Sequence, residues 1–177
     1  DPCRIVPFQD RLSQGERECL MSEETRPPSN TIDINFHNLK PQWMTGVEDF
    51  IYAVLARLEK SNMELSVLFC DDRYMSGLNT EYRGKEGPTD VLSFAQDGEG
   101  ETGYINMERA LCLGDIVIST ETLERNATDD GIPFMVECKR LLIHGILHLS
   151  GMDHDTDHNE MMDIQEQILK DHLGGLF

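Results

Sequence analysis

The sequence predicts a single α/β (α+β) domain in which a mixed sheet of about four strands packs with about five helices. Segments with strand composition alternate with segments whose apolar residues recur at helical spacing, giving the order β-α-β-α-β-β-α-α-α. Two strands follow one another directly amid the helices, which favours a mixed sheet. A chain of 177 residues is most simply one domain with a substantial core.

Four segments are rich in β-branched residues or alternate apolar with polar side chains, as strands do. They are residues 31–36, 64–70, 89–94 and 114–119. Between the last two lies a stretch rich in glycine and acidic residues, 95–113, which we expect to be a mobile surface loop.

Five segments carry apolar residues at helical spacing. Their expected N-terminal ends are, in chain order, Thr45, Asp71 or Asp72, Ser119, Pro133 and Thr156. Thr45 and Glu48 form a capping box, the sequence pattern of a helix start. Gly84 and Gly174 are expected to end the second and the last of these helices.

Residues 1–30 differ from the rest of the chain. They end in a polar stretch that contains Pro27 and Pro28, and they show no apolar periodicity. This composition predicts a flexible N-terminal extension ahead of a domain at 31–177.

The net charge of -18 limits the possible functions. Broad, non-specific nucleic-acid binding needs a basic face, so any such function must depend on a local basic cluster or on a partner. No apolar run approaches the length of a membrane span, and no signal segment is visible at the N-terminus. The five cysteines are scattered and odd in number, which favours reduced thiols and a cytoplasmic location.

The stretch HGILHLSGMDHD, residues 144–155, predicts a metal site. His144 and His148 would lie one turn apart on one helix face, and Gly151 could end the helix and bring His154 to the same point. Three histidine nitrogens with a fourth position open are the form of catalytic zinc. Zinc is the expected metal, one per chain; nickel, copper or iron are alternatives, and His158 is a competing ligand.

The histidine spacing also matches the metalloprotease pattern H-E-x-x-H-x-x-G-x-x-H, except that Gly145 stands where that pattern has its general-base Glu. A glycine between two ligands suggests either that something passes close to the backbone there or that the helix makes a tight crossing. A bound zinc lowers the pKa of its water to about 7, so a separate base is not always required.

The same stretch, HGILHLSGMDH, resembles the H-G-x-L-H-L-x-G-Y-D-H signature of the YbeY-type rRNA maturation factors, which are bacterial metal-dependent endoribonucleases. LNTEYRGKEGPTDVLSF (78–94) and GDIVIS (114–119) are similar to two further segments of that family. The resemblance runs from about Thr31 to the C-terminus in family order. Met152 departs from the usual tyrosine, which implies altered packing or substrate contact beside the metal.

The resemblance implies one zinc held by His144, His148 and His154, and hydrolysis of single-stranded RNA during 16S rRNA 3′-end maturation and ribosome quality control. It maps the family's marked arginine onto Arg83. The Arg83 guanidinium could donate two parallel hydrogen bonds to a phosphate, with Lys85 nearby. Without the resemblance, Arg83 would be taken for a solvated arginine closing a helix. Asp90 and Ser93 are expected to fix the strand and loop.

Three functions remain open from the sequence. The first is a metal-dependent endoribonuclease acting on RNA, in which water or an RNA 2′-hydroxyl is the nucleophile; DNA and membranes are not expected partners. The second is a zinc metalloprotease-like hydrolase, which the missing base at Gly145 weighs against. The third is a non-catalytic ribosome assembly factor with structural zinc, whose acidic surface would suit basic ribosomal proteins of the small subunit.

Overall fold

The computed structural model describes residues 30–37, 42–96, 110–152 and 160–173. Over these ranges the chain forms four strands and five α-helices in the predicted order. The strands are β1 (Thr31–Phe36), β2 (Met63–Cys70), β3 (Val91–Ala95) and β4 (Leu111–Ser119). The helices are α1 (Val47–Arg57), α2 (Asp72–Arg83), α3 (Thr120–Asp129), α4 (Phe134–Leu149) and α5 (Glu160–Leu173), with a 3-10 turn at Gln42–Met44.

The four strands form one mixed sheet in the order β1-β2-β4-β3. β1, β2 and β4 run parallel, and β3 pairs antiparallel with β4 at the edge of the sheet. The predicted mixed α/β domain is therefore confirmed. The two consecutive strands noted in the sequence, β3 and β4, are the antiparallel pair that makes the sheet mixed.

The two faces of the sheet are covered unequally. Alternate residues of β4 point to opposite faces, so Ile116 and Ile118 join the main core while Val117 joins a smaller cluster with residues of α2. Helices α1, α3, α4 and α5 all contribute to the main core. None of the described helices combines the length and apolar character needed to cross a bilayer.

Several boundaries predicted from the sequence were wrong or shifted. Thr45 and Glu48 do not cap α1: the helix begins after Gly46, whose left-handed conformation (φ 85°) turns the chain into the helix without a side-chain cap. Residues 111–113, expected in a loop, belong to β4, because Leu111 pairs with the first residue of β2. Pro133 precedes α4, at its N-cap position. Thr156, Gly174 and loop residues 97–109 lie outside the described residues.

A polar cluster joins the starts of α2 and α3. The Asp72 carboxylate accepts hydrogen bonds from the hydroxyls of Ser119 (2.6 Å) and Thr122 (2.7 Å) and lies 2.8 Å from the Arg125 guanidinium. Partial burial acts to raise the pKa of Asp72, but these hydrogen bonds and the positive charge outweigh it and hold the pKa below its usual value. The cluster fixes the start of α2, whose last turn carries Arg83.

A close contact at Gly114 leads to the first prediction. Gly114 has a φ of 136°, and an added Cβ would overlap the Phe94 carbonyl oxygen and lie 2.8 Å from Leu149 Cδ2. Gly114→Ala should therefore reduce the free energy of unfolding by roughly 1–3 kcal/mol or more, as overpacking and backbone strain add. Gly77→Ala, in α2 with nothing within 4 Å, is the control and should be neutral or stabilising. Equal denaturant midpoints for the two variants would contradict the steric argument.

Candidate functional site

The C-terminal half of α4 carries the first two predicted histidine ligands. His144 and His148 lie on successive turns, with ring centroids 4.6 Å apart and planes at 76°. The helix ends as predicted at Gly151, which has a left-handed φ of 91°. The N–H of Gly151 bonds to the His148 carbonyl (3.0 Å), and the N–H of Met152 bonds to the Leu147 carbonyl (3.1 Å), which together form a Schellman cap.

Each imidazole is oriented through its Nδ1 atom. His144 Nδ1 lies 3.0 Å from the side-chain oxygen of Gln165 on α5, and His148 Nδ1 lies 3.1 Å from the backbone oxygen of Met152. Both partners are carbonyl-type oxygens, which only accept hydrogen bonds. Both Nδ1 atoms therefore carry the proton and donate it, and in a neutral imidazole this leaves Nε2 as an unprotonated acceptor.

The two Nε2 atoms face each other across 3.1 Å. With both protons on the Nδ1 atoms, two lone pairs would repel at this distance unless a shared proton or a cation lay between them. Zinc–nitrogen bonds of about 2.0–2.1 Å can span such a pair, and metal-bound histidines usually donate their other N–H to an oxygen, as here. The donor set thus fits a transition metal. Within the described ranges no group of three potential ligands occurs, and the predicted ligand His154 lies outside those ranges.

Arg83 lines the same cleft as the two histidines. The cleft has a volume of about 290 Å³. It is lined by His144, His148 and Leu149 of α4, by Arg83, Thr89 and Asp90, and by Val91, Ser93 and Ala95 of β3. Among the described residues, ion pairs involve Arg57, Arg125 and Arg140, and Arg83 takes part in none of them. An exposed arginine and a pair of imidazoles therefore line one cleft.

The segment between α2 and β3 is held by short hydrogen bonds. α2 ends at Gly84 (φ 63°), as predicted, and the buried Asn79 donates its side-chain N–H to the Gly87 carbonyl (2.9 Å). Asp90 Oδ1 accepts from its neighbours Val91 N (2.8 Å) and Thr89 Oγ1 (3.2 Å). These contacts agree with the expected role of Asp90 in fixing the loop.

Two other basic residues on or next to α2 do not line the cleft. Lys85 is exposed beyond the end of α2, where its backbone N–H bonds to the Asn79 carbonyl. Arg73 lies near the start of α2 and borders a separate depression of about 420 Å³ with His37 and Tyr74. Of these cations, only Arg83 is brought to the histidine pair. His158 lies outside the described residues.

Sequence reasoning missed Gln165. This residue is 1% exposed although polar, and its oxygen sets the orientation of His144. The signal was available: Gln165 interrupts the apolar stripe of Met161, Ile168 and Leu169 on α5. A polar residue on a core-facing stripe must find a buried partner, because an unsatisfied amide costs free energy.

Gly145 is explained by packing. An added Cβ would lie 2.8 Å from Ile116 Cδ1 and 3.1 Å from its Cγ1 and Cγ2 atoms. The tight crossing between α4 and β4 therefore accounts for the glycine, and it leaves no space for a glutamate at this position.

The described cysteines take no part in the site. Cys70, Cys112 and Cys138 are all free thiols. Burial raises the pKa of Cys70 and of Cys138 to about 12, and it also raises the pKa of Cys112. At neutral pH these thiols are therefore protonated, and none of the three lines the cleft. Cys3 and Cys19 lie outside the described residues.

The sequence profile of Endoribonuclease YbeY matches residues 31–173. The chain belongs to the YbeY endoribonuclease family. Among its YbeY relatives, the Treponema denticola protein is 42% identical over 150 residues, covering 80% of this chain and 92% of the relative. The Treponema pallidum protein is 43% identical over 136 residues, covering 75% of this chain and 82% of the relative. A solution structure from Thermotoga maritima has a TM-score of 0.59 at 25% identity, covering 81% of this chain and 90% of that one.

The contact of Gly145 with Ile116 yields a prediction for this YbeY chain. Gly145→Ala should lower the free energy of unfolding by roughly 1–3 kcal/mol despite the better helix propensity of alanine. Ile116→Val removes the closest atom, Cδ1, and alone should cost about 0.5–1.5 kcal/mol. The double variant should lose less unfolding free energy than the sum of the two single losses, because the valine relieves the overlap. Strictly additive losses in denaturant unfolding would show that the overlap does not limit the packing.

Proposed function

We propose that the chain is a metal-dependent endoribonuclease that cuts single-stranded RNA. The observation that carries this proposal is the cleft that Arg83 lines together with the His144–His148 pair. A metal site beside a bidentate phosphate donor suits phosphodiester hydrolysis, where charge develops on phosphoryl oxygens. Membership of the YbeY family supports RNA as the substrate.

The proposed metal is zinc, one ion per chain. His144 and His148 would bind through Nε2, with Gln165 and the Met152 carbonyl holding their Nδ1–H groups. His154 is the proposed third ligand. When bound, the metal supplies positive charge that polarises a phosphoryl oxygen and acidifies the attacking hydroxyl or water.

Arg83 would act on the substrate. Its guanidinium can donate two parallel N–H bonds to the non-bridging oxygens of the scissile phosphate, and this attraction strengthens as negative charge builds in the transition state. The hydrogen bonds within the segment 84–90 and the Asp72 cluster at the start of α2 keep the helix that carries Arg83 in place. Preorganisation of this kind allows one donor to contribute strongly to the rate.

The packing at Gly145 favours a nuclease over the metalloprotease-like alternative. Peptide hydrolysis needs a base that later protonates the departing amine, and Ile116 fills the space that a glutamate at 145 would need. We further propose 16S rRNA 3′-end maturation and ribosome quality control in the cytoplasm as the setting. An acidic chain of net charge -18 suits contact with basic ribosomal proteins.

Metal affinity should depend on Gln165. Gln165→Leu keeps the side chain's approximate size but removes the acceptor of the His144 N–H, so zinc should bind about 10- to 100-fold more weakly. Gln167→Leu is the matched control, since Gln167 is exposed and bonds to Asp171 on the same helix. Competition with a chelating dye measures both affinities.

His154→Ala should reduce zinc content sharply. Full zinc occupancy in His154→Ala would remove it from the ligand set.

Cleavage should depend on Arg83 without any change in metal content. Arg83→Ala should lower the cleavage rate of single-stranded RNA by about 10²–10³, because one charge-stabilising donor is lost. Arg83→Lys should recover little of the cleavage rate, since lysine keeps the charge but cannot donate two parallel hydrogen bonds. Arg73→Ala is the control, as Arg73 lies on the same helix outside the cleft. Zinc content and melting temperature should stay near wild type, and undiminished cleavage by Arg83→Ala would exclude its catalytic role.

A further inference from the structure

Ser93 is a polar residue in the middle of the edge strand β3, on the side that lines the cleft. Alternate residues of β3, Ser93 among them, line the cleft, while Leu92 and Phe94 join the cluster on the α2 face. The register places Ser93 directly opposite Ile116 of β4. Opposed residues of an antiparallel pair carry their side chains on the same face, about 4.5–5.5 Å apart. Ser93 therefore lies next to the residue on which α4 packs.

Ile116 connects Ser93 to the histidine pair. The Ile116 side chain fills the space beside Gly145, the residue that follows His144 in α4. Because Ser93 and Ile116 share one face of the sheet, Ser93 lies on the side of β3 that carries the histidine half of α4. Arg83 lines the same cleft. A substrate held by Arg83 and by a metal on the histidines would therefore lie in the cleft that Ser93 lines.

The Ser93 hydroxyl is open to a ligand. A serine with a purely structural role bonds its hydroxyl to a nearby main chain or loop. Across the ranges that the structure describes, no hydrogen bond involves the Ser93 side chain, and its oxygen is not among the buried polar atoms that lack a partner. The residue as a whole is half-buried. Its hydroxyl is therefore accessible from the cleft, where it can both donate and accept a hydrogen bond.

The main chain at Ser93 also points away from the sheet. β3 lies at the edge of the sheet, and the N–H of Ser119 on β4 donates to the carbonyl of Asp90, which precedes β3. Successive residues of an antiparallel strand direct their N–H and C=O groups alternately toward and away from the paired strand. Counting from Asp90, the N–H and C=O of Ser93 point away from β4. A chain lying along this edge therefore meets uncharged donors and acceptors.

The surroundings of Ser93 suit a neutral hydroxyl better than a second phosphate. Asp90 lines the same cleft, and its carboxylate would oppose an additional phosphate there. A ribose 2′-hydroxyl carries no charge, and it both donates and accepts hydrogen bonds, as the groups of Ser93 do. The 2′-hydroxyl is also the group by which a protein distinguishes RNA from DNA.

We propose that Ser93 is a substrate-binding residue, whose hydroxyl forms a hydrogen bond with the ribose 2′-hydroxyl of a nucleotide flanking the scissile phosphate. The ligand is the ribose of single-stranded RNA. This inference deepens the proposed function and rests on it for the position of the phosphate.

The test combines protein variants with substrates that lack single hydroxyls. Ser93→Ala removes the side-chain oxygen, and Ser66→Ala is the matched control, since Ser66 is a half-buried serine of β2 outside the cleft. The substrates are one single-stranded RNA and a set in which each ribose in turn is 2′-deoxyribose. The ribose whose own hydroxyl adjoins the scissile phosphate is left unchanged, because that hydroxyl could be the nucleophile. Binding of the labelled strands is read on mixing, before cleavage, and cleavage kinetics, zinc content and thermal unfolding are measured on the same samples.

In wild type, removal of one particular 2′-hydroxyl should raise KM roughly 2- to 12-fold, the range expected for one hydrogen bond. Ser93→Ala should raise KM for the unmodified RNA by a similar factor and show no further loss with that deoxy substrate, because the same bond is already absent. Its kcat should stay within about twofold, because the bond acts on ground state and transition state alike. Ser66→Ala should match wild type on every substrate.

Two results would overturn the proposal. One is an unaltered KM in a folded, zinc-loaded Ser93→Ala variant. The other is a rise in KM by the same factor for every deoxy substrate, which would move the contact to another group of the RNA, such as a phosphate oxygen.

The remaining outcomes separate this inference from the proposed function. Cleavage by wild type without any coupling between Ser93 and a ribose would leave the nuclease standing and remove the ribose contact. Binding that shows the coupling without any cleavage would support the ribose contact and refute the nuclease. Neither binding nor cleavage by the folded, zinc-loaded wild-type chain would overturn both.

Discussion

Helix α4 lies so close to strand β4 that neither point of closest approach has room for a methyl group. Gly145 meets Ile116 near the middle of the contact, and Gly114 meets Leu149 near the end of the helix. At both contacts the atoms are already at van der Waals distance, so the helix cannot move closer to the sheet. Moving it away would open a void in a close-packed interior, which costs free energy. This packing holds His144 and His148 beside the β3 residues with which they and Arg83 line the cleft.

The site itself is arranged around uncharged oxygens. The amide of Gln165 and the carbonyl of Met152 accept from the two Nδ1 atoms and direct both Nε2 lone pairs to one point. Neutral acceptors fix the tautomers without adding negative charge beside an incoming phosphate. This matters in a chain with 33 acidic and 15 basic residues, where each additional carboxylate at the cleft would oppose the substrate.

Local signals in the sequence predicted much of this arrangement. Strand composition and helical spacing predicted all described strands and α-helices in order but not the 3-10 turn, and Gly84 and Gly151 end their helices in the left-handed conformation expected of them. The Thr45 cap failed because a neighbouring glycine offered another way into the helix. Three features depend on residues far apart in the chain: the strand order, the packing position of α4 on the sheet, and the contact of Gln165 with His144. The spacing of residues within one segment carries no information about them.

The contact between His148 and Met152 has an evolutionary consequence. The atom that orients the imidazole is a main-chain oxygen, and it is placed there by the Schellman cap around Gly151. Any residue type at position 152 supplies the same oxygen as long as the glycine keeps the turn. The side chain at position 152 can therefore change under selection for packing or substrate contact, while the backbone keeps the orientation of the His148 ring unchanged.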